Sequence, residues 1–307
     1  MNKEQSLQDF AEQHGVVGLT EPSLLALQSE AEGYTLEKAK RFLQFQARIN
    51  QELLNHQIIQ NNKYCLWYEQ GNQSNAQVKE FVVQFSVFSN LFLIAQLHKT
   101  INADTVEGMH ASKEILANEI GVIFNPNKAK KALDDQENKS TDPDIVSTEG
   151  SIEGGQFRFK AAHFEWLLRM AEMLGLSFND IGKRKHGTPS TLFFCDELTR
   201  LYGNEDYLIS QAASYAVENW AAAGFWDQLV RGFEKFNERT ASKLPLGFFI
   251  WHAKIESQHA AHTQEELEEL YFSREIDEDN FIKYGNEMLD GVSVYWDGLD
   301  VQRKRLQ

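Results

Sequence analysis

Three side chains in the last quarter of the sequence have the types and the spacing of metal ligands. His252, Glu256 and His259 occupy positions i, i+4 and i+7 of a segment that begins with apolar residues at Leu246. On an α-helix, at about 100° per residue, such positions fall within a sector of roughly 60° on one face. Imidazole nitrogens and carboxylate oxygens suit first-row transition metals. The spacing predicts a metal-binding stripe beside a core; the alternative is a polar face with two incidental histidines.

Three further candidates lie on other predicted helices. Glu218 is the one charged residue within 212–223. A buried carboxylate is unfavourable unless it is paired or bound to a metal, so this setting indicates a functional or ion-paired glutamate. Glu119 and His163 lie in two separate helical segments and carry little weight alone. Together, the six residues provide three carboxylates and three imidazoles, which is what a dinuclear metal site in a helical bundle requires.

The elements that must position these residues are helices. Apolar residues recur at three- and four-residue intervals, and the sequence shows no alternating strands, no βαβ rhythm and no internal repeat. We therefore predict an all-α bundle of seven or more helices in a single domain over 1–307. The predicted helical segments are 35–58, 76–101, 109–122, 157–174, 204–236, 246–262, 264–271 and 277–304.

Residues 125–155 interrupt the helical pattern. The stretch contains Asn-Pro, Asp-Pro and Gly-Gly pairs and few apolar residues. A structureless loop of this length within a compact domain is unusual, and such loops are commonly functional or disordered. We predict a mobile insertion between two helices, and not a linker between domains.

The composition indicates a globular protein and argues against two classes of partner. The chain has 307 residues, of which 42% are hydrophobic, and a net charge of −15. An acidic excess disfavours nucleic acid and anionic membranes, because phosphate binding depends on clustered Lys and Arg. The sequence has no apolar run of membrane-spanning length and no signal-peptide core near Met1, which predicts a cytoplasmic location. Cys65 and Cys195 form neither a disulfide framework nor a zinc pattern, so we expect core thiols.

The order of the candidate residues resembles that of the heme-oxygenase-like diiron oxidases. That family has a Glu on an early helix, a second Glu followed by Gly, and then a His. A Glu on a later helix and a His-x3-Asp/Glu-x2-His motif follow. Here the last motif is His252-x3-Glu256-x2-His259, and the preceding helix supplies Glu218. The resemblance covers about residues 76–270.

Two shorter elements complete the resemblance. Asn118-Glu119-Ile120-Gly121 is similar to the second Glu of the family, and His163 to the His that follows it. The resemblance implies a heme-oxygenase-like bundle of about seven core helices with extra N-terminal and C-terminal helices, the fold of thiaminase II and pyrroloquinoline-quinone synthase. It also implies two ferrous ions, with O2 as co-substrate; because a neutral Gln84 stands where the family has its first-helix Glu, we expect one of the two ions to be labile. The substrate would be a small amino-acid-derived or fatty-acid-like molecule. The implied metal ligands are Glu119, His163, Glu218, His252, Glu256 and His259.

The sequence departs from the family pattern at two places. The insertion separates Glu119 from His163, and the first-helix Glu is missing. Its expected neighbourhood offers the neutral Gln84, with Glu80 one turn earlier. A rival alignment takes Glu153 as the Glu-Gly element and Glu119 as the first-helix Glu. Gln84, Glu80 and Glu153 therefore all stay open for the remaining position.

Two other functions are alternatives to the oxidase function. One is a cofactor-free enzyme with the same fold, although a filled ligand set favours a metal. The other is a non-enzymatic interaction protein with an acidic surface and a degenerate metal site. The sequence shows no clear dimer interface and leaves a homodimer open.

Overall fold

The computed structural model describes residues 3–123, 158–159 and 163–306, and within these ranges the side chains of 3–5, 107, 122–123, 158–159 and 255–262 lie outside that description. The predicted insertion over 125–155 and the rival ligand Glu153 therefore also fall outside the described residues.

The described chain is helical almost throughout, which confirms the all-α prediction. One short antiparallel pair joins β1 (Val122–Ile123) to β2 (Arg158–Phe159). Single π-helical turns, Ile49–Leu53 and Leu198–Tyr202, directly continue the α-helices that end at Arg48 and Glu197. The helices are α1 (Lys3–His14), α2 (Glu21–Gln28), α3 (Leu36–Arg48), α4 (Gln57–Gln60), α5 (Lys63–Tyr68), α6 (Asn75–Ile101), α7 (Val106–Glu119), α8 (His163–Met173), α9 (Pro189–Glu197), α10 (Tyr207–Ala221), α11 (Phe225–Thr240), α12 (Gly247–Ser273) and α13 (Glu278–Arg305).

Helix α6 lies at the centre of the bundle. It begins with a capping box in which the Ser74 hydroxyl accepts from Gln77 N and the Gln77 side chain accepts from Ser74 N, which satisfies two unpaired donors of the first turn. Its Phe81 and Phe85 rings pack against Phe249 of α12. By length and composition, α6 is the one described helix that could cross a membrane, but half of its most apolar window is buried inside the protein. Burial of that kind is what a core helix shows.

Several predicted helix boundaries are wrong, among them the start of 157–174, where Arg158–Phe159 form strand β2 and the helix begins at His163. The segment 204–236, predicted as one helix, is divided at Gly224, where φ is +86°. A left-handed residue ends the α-helical path, and glycine adopts that conformation without a Cβ clash. Conversely, the segments 246–262 and 264–271 form one continuous helix, α12.

Both cysteines are core residues, as predicted. Cys65 and Cys195 are free thiols, each at most 3% exposed. Burial raises the pKa of Cys195 to about 12, and it raises the pKa of Cys65 well above its usual value. At pH 8 a pKa near 12 leaves about one thiolate per ten thousand molecules, and the thiolate is the reactive form.

We therefore expect neither thiol of the native protein to react with an aromatic disulfide reagent at pH 8. The absorbance of the aromatic thiolate released from the reagent should rise only after the protein is unfolded in guanidinium. The final absorbance should then correspond to the reaction of both cysteines. Rapid release from the native protein would contradict the burial of these side chains.

Candidate metal-binding site

Glu119 and His163 are in direct contact. Glu119 ends α7 and His163 begins α8, and His163 Nδ1 lies 2.6 Å from Glu119 Oε2. Both side chains are largely buried, with exposures of 14% and 6%. Between them, Val122 of β1 pairs with Phe159 of β2, so the two helix ends are held together. The entropic cost of closing a loop rises only logarithmically with the length of the loop, so a long insertion between the two helices is compatible with this contact. The prediction that these two residues meet across the insertion is confirmed.

His252 lies beside this pair. It is 8% exposed on α12, and its ring centroid is 4.7 Å from that of His163. Its Nδ1 lies 2.7 Å from the carbonyl oxygen of Phe248, one turn earlier. A carbonyl only accepts, so Nδ1 carries the hydrogen and Nε2 of the neutral ring carries the lone pair. The Glu119 carboxylate orients His163 in the same way. Metal-binding histidines typically have their second nitrogen held by such a partner.

Aromatic rings surround the two imidazoles. Trp226 stacks on His252 with ring centroids 4.4 Å apart and planes at 21°. Trp166 and Trp251 contact the His163 ring at centroid distances of 5.8 and 4.9 Å. These rings restrict the orientation of both histidines and keep their surroundings apolar.

Glu218 lies on α10, which packs against α12, the helix of His252. It is half-buried on α10. Burial raises the pKa of the nearby Tyr202 phenol well above its usual value, and the negative charges of Glu218, Glu266 and Glu119 raise it further. These three carboxylates therefore lie near one side chain, although they come from three helices. Glu266 is exposed on α12.

The structure thus brings three of the six predicted ligands together, while a fourth, Glu218, is on the adjacent helix α10. Glu256 and His259 lie on α12, but their side chains are outside the described residues. Among the residues that are described, no group of three or more His, Cys, Asp or Glu side chains is arranged to hold a metal ion. The donor set of Glu119, His163 and His252 nevertheless fits the chemistry of iron, because it combines imidazole nitrogens with a carboxylate.

Gln84 and Glu80 do not face this site. The Gln84 amide donates to the His186 carbonyl at 2.9 Å, and its oxygen accepts from Thr188 N at 2.9 Å. It also accepts from the Thr191 hydroxyl at 2.8 Å, so it connects α6 to the start of α9. Glu80 in turn accepts from Gln84 at 3.0 Å. The interpretation of either residue as the missing ligand is therefore wrong: both act in packing between helices. Glu80 is also the sole carboxylate of α6, so this helix gives none to the site.

Comparisons with known proteins support the fold and are silent on activity. No protein-family model and no curated protein matches the chain. A crystal structure of a domain of unknown function with a heme oxygenase-like fold, from Shewanella denitrificans OS217, is similar to it. The TM-score is 0.54 at 14% sequence identity, over 87% of this chain and 94% of that one. The protein therefore has a heme oxygenase-like fold, which confirms the predicted architecture.

Proposed function

We propose that this protein is an iron-dependent oxidoreductase that uses O2 to oxidise a small molecule. The observation that carries the proposal is the convergence of Glu119, His163 and His252 within an aromatic shell. His163 and His252 are both buried, and each has its Nδ1 held by an oxygen atom, an arrangement typical of metal-binding histidines. A fold shared with a domain of unknown function neither supports nor opposes this chemistry.

The residues of the site would have different roles in binding the metal. His163 and His252 would bind iron through Nε2, and the carboxylates of Glu119 and Glu218 would balance its charge. Glu256 and His259 would complete the ligand set expected from the sequence. Bound ferrous iron supplies the electrons for the reduction of O2. The Phe248 carbonyl keeps the His252 ring in place, while Trp226 and Trp251 exclude water from the two imidazoles.

The two iron positions should differ in affinity. In the described part of the site, α6 contributes no carboxylate, and it places the ammonium of Lys99 near Glu218. Fewer negative ligands and a nearby cation both weaken the binding of a second divalent ion. We therefore propose one tightly held iron and a second, labile one.

Iron stoichiometry tests this function. Protein purified without metal should be titrated with ferrous iron in the absence of oxygen and then desalted, and iron per chain should be measured by mass spectrometry. We expect about one iron to survive desalting, and a second to bind only when ferrous iron is kept in excess. No bound iron under either condition would contradict the proposal and favour a cofactor-free enzyme or an interaction protein.

A further inference from the structure

A small cavity lies between α4, the start of α5 and the turn that joins α10 to α11. Its volume is about 80 Å³, and its walls come from the segments 58–66 and 220–228. The exposed Gln60 and Asn61 are part of the lining, so the cavity opens at the protein surface. A closed apolar cavity of about 150 Å³ can bind benzene. The volume here therefore suffices for one functional group of a ligand, with the rest of the molecule at the opening.

Two buried side chains that line this cavity carry a hydrogen-bond donor without a partner among the described residues. Asn62 is 7% exposed and Trp220 is 2% exposed. The unpaired atoms are Asn62 Nδ2 and Trp220 Nε1. Buried polar groups in folded proteins are nearly always hydrogen-bonded, and an unpaired donor is unfavourable. Two such donors beside one cavity indicate that an acceptor binds there.

The orientation of both donors is fixed by the surrounding structure. Asn62 is the N-cap of α5, and its Oδ1 accepts from Cys65 N at 3.1 Å. The amide oxygen is thus used within the protein, and the amide nitrogen remains as the donor. An indole can only donate, and the Trp220 ring stacks on Phe225 with centroids 4.8 Å apart and planes at 14°. Neither side chain can turn to offer an acceptor in place of its donor.

The remaining lining favours an uncharged ligand. None of the described residues that line the cavity is charged, so an anion would lack a counterion in a partly buried site, which is unfavourable. The polar side chains nearer the surface are the amides of Gln60, Asn61 and Gln228. Their carbonyl oxygens can accept from a ligand N–H. Buried donors at one end and amide acceptors at the other match a group that both accepts and donates.

We infer that this cavity binds the carboxamide group of a small uncharged molecule. The carbonyl oxygen of the ligand accepts from Asn62 Nδ2 and Trp220 Nε1, while its N–H group faces the amide side chains at the opening. None of the described metal-ligand candidates lines the cavity. Contacts between rings connect the two places, because Phe225 packs on Trp226 and Trp226 stacks on His252. The amide site is therefore a second site, and it does not rest on the proposed function.

Magnetic resonance of the indole groups tests the inference. The chain has six tryptophans, so protein with isotopically labelled tryptophan gives one indole N–H signal for each of them. The signal that is missing from Trp220→Phe identifies Trp220. A ligand as small as propanamide has at best a dissociation constant of several micromolar, and we expect about 1 mM. Propanamide should move the Trp220 proton downfield, because hydrogen bonding deshields it. Propanoate, the isosteric anion, should bind at least tenfold more weakly.

Two variants remove one donor each, and ligand-detected resonance measures propanamide binding in both. Asn62→Asp keeps the shape and the capping oxygen but has no donor. It should weaken binding about tenfold, because one hydrogen bond is lost and two oxygens then face each other. Trp220→Phe keeps an aromatic ring beside Phe225 and should weaken binding several fold. Melting temperatures show which variants are folded. Asn62→Ser, which also caps the helix, replaces Asn62→Asp if that variant does not fold.

Trp296→Phe is the matched control. Trp296 is 1% exposed, and its Nε1 also has no partner among the described residues. Trp296 does not line the cavity. The same substitution in the same kind of core environment should therefore leave propanamide binding unchanged.

Three outcomes would overturn the inference. The first is an unmoved Trp220 signal at about ten times the expected dissociation constant, which would mean that water alone completes the two hydrogen bonds. The second is propanoate binding as tight as propanamide binding. The third is unchanged propanamide binding in the folded variants of Asn62 and Trp220. Binding of propanamide does not require iron, so these results and the iron stoichiometry can fail independently of each other.

Discussion

Replacement of His252 by alanine is expected to lower the iron content of the purified protein at least tenfold. The ring is buried, its Nδ1 is held by the Phe248 carbonyl, and it lies between Trp226 and His163. Loss of even an orienting partner of a metal-binding histidine typically lowers metal affinity by about 10–100-fold. Loss of the ligand itself should therefore have at least that effect. His163→Ala should behave in the same way, since its ring is in contact with that of His252.

The control for this result is a histidine outside the site. His98 is exposed on α6, and His98→Ala should retain the iron content of the wild type. Iron should be measured after anaerobic loading, together with the melting temperature of each variant. Folded His163→Ala and His252→Ala proteins that both keep a full complement of iron would show that the two imidazoles are not ligands.

The order of the candidate ligands in the sequence predicted the meeting of Glu119 and His163, but not the means by which they meet. The pair β1–β2 has two residues in each strand, which is too short to produce an alternating pattern. Trp226 was missed for a related reason. The uninterrupted apolar spacing of 204–236 concealed the turn at Gly224, and the tryptophan that stacks on His252 lies just after that turn.

Charged residues were the least predictable part of the structure. An acidic run such as 265–269 is typical of a solvated helix face, yet Glu268 is fully buried. Its carboxylate accepts from the Thr20 hydroxyl at 2.6 Å and from Thr20 N at 3.0 Å, and Thr20 lies 248 residues away in the sequence. Lys99 was missed in the same way, because the groups that surround it come from other helices. Helical periodicity indicates which face is apolar, but it does not show which distant group will meet a buried charge.

The packing of α11 gives the second large expected effect. Gly232 lies in α11 where that helix crosses the end of α5, and a Cβ at this position would lie 2.3 Å from the carbonyl oxygen of Tyr68. The obstacle is backbone, so no side-chain rotation relieves it. Gly232→Ala should lower the free energy of unfolding by about 2 kcal/mol, within the range for overpacked cores. In a protein of this size, that corresponds to a fall of several degrees in melting temperature.

Gly247→Ala is the matched control. Gly247 is the first residue of α12, and a Cβ there would meet nothing within 4 Å. We expect an unchanged or slightly higher melting temperature, because alanine favours the helix over glycine. Equal melting temperatures for the two variants would contradict the close approach of α11 to α5.

The two glycine variants also test the position of Trp226 in the metal site. Because α11 carries Trp226, which stacks on His252, a displacement of α11 in Gly232→Ala should also weaken iron binding, whereas Gly247→Ala should leave it unchanged.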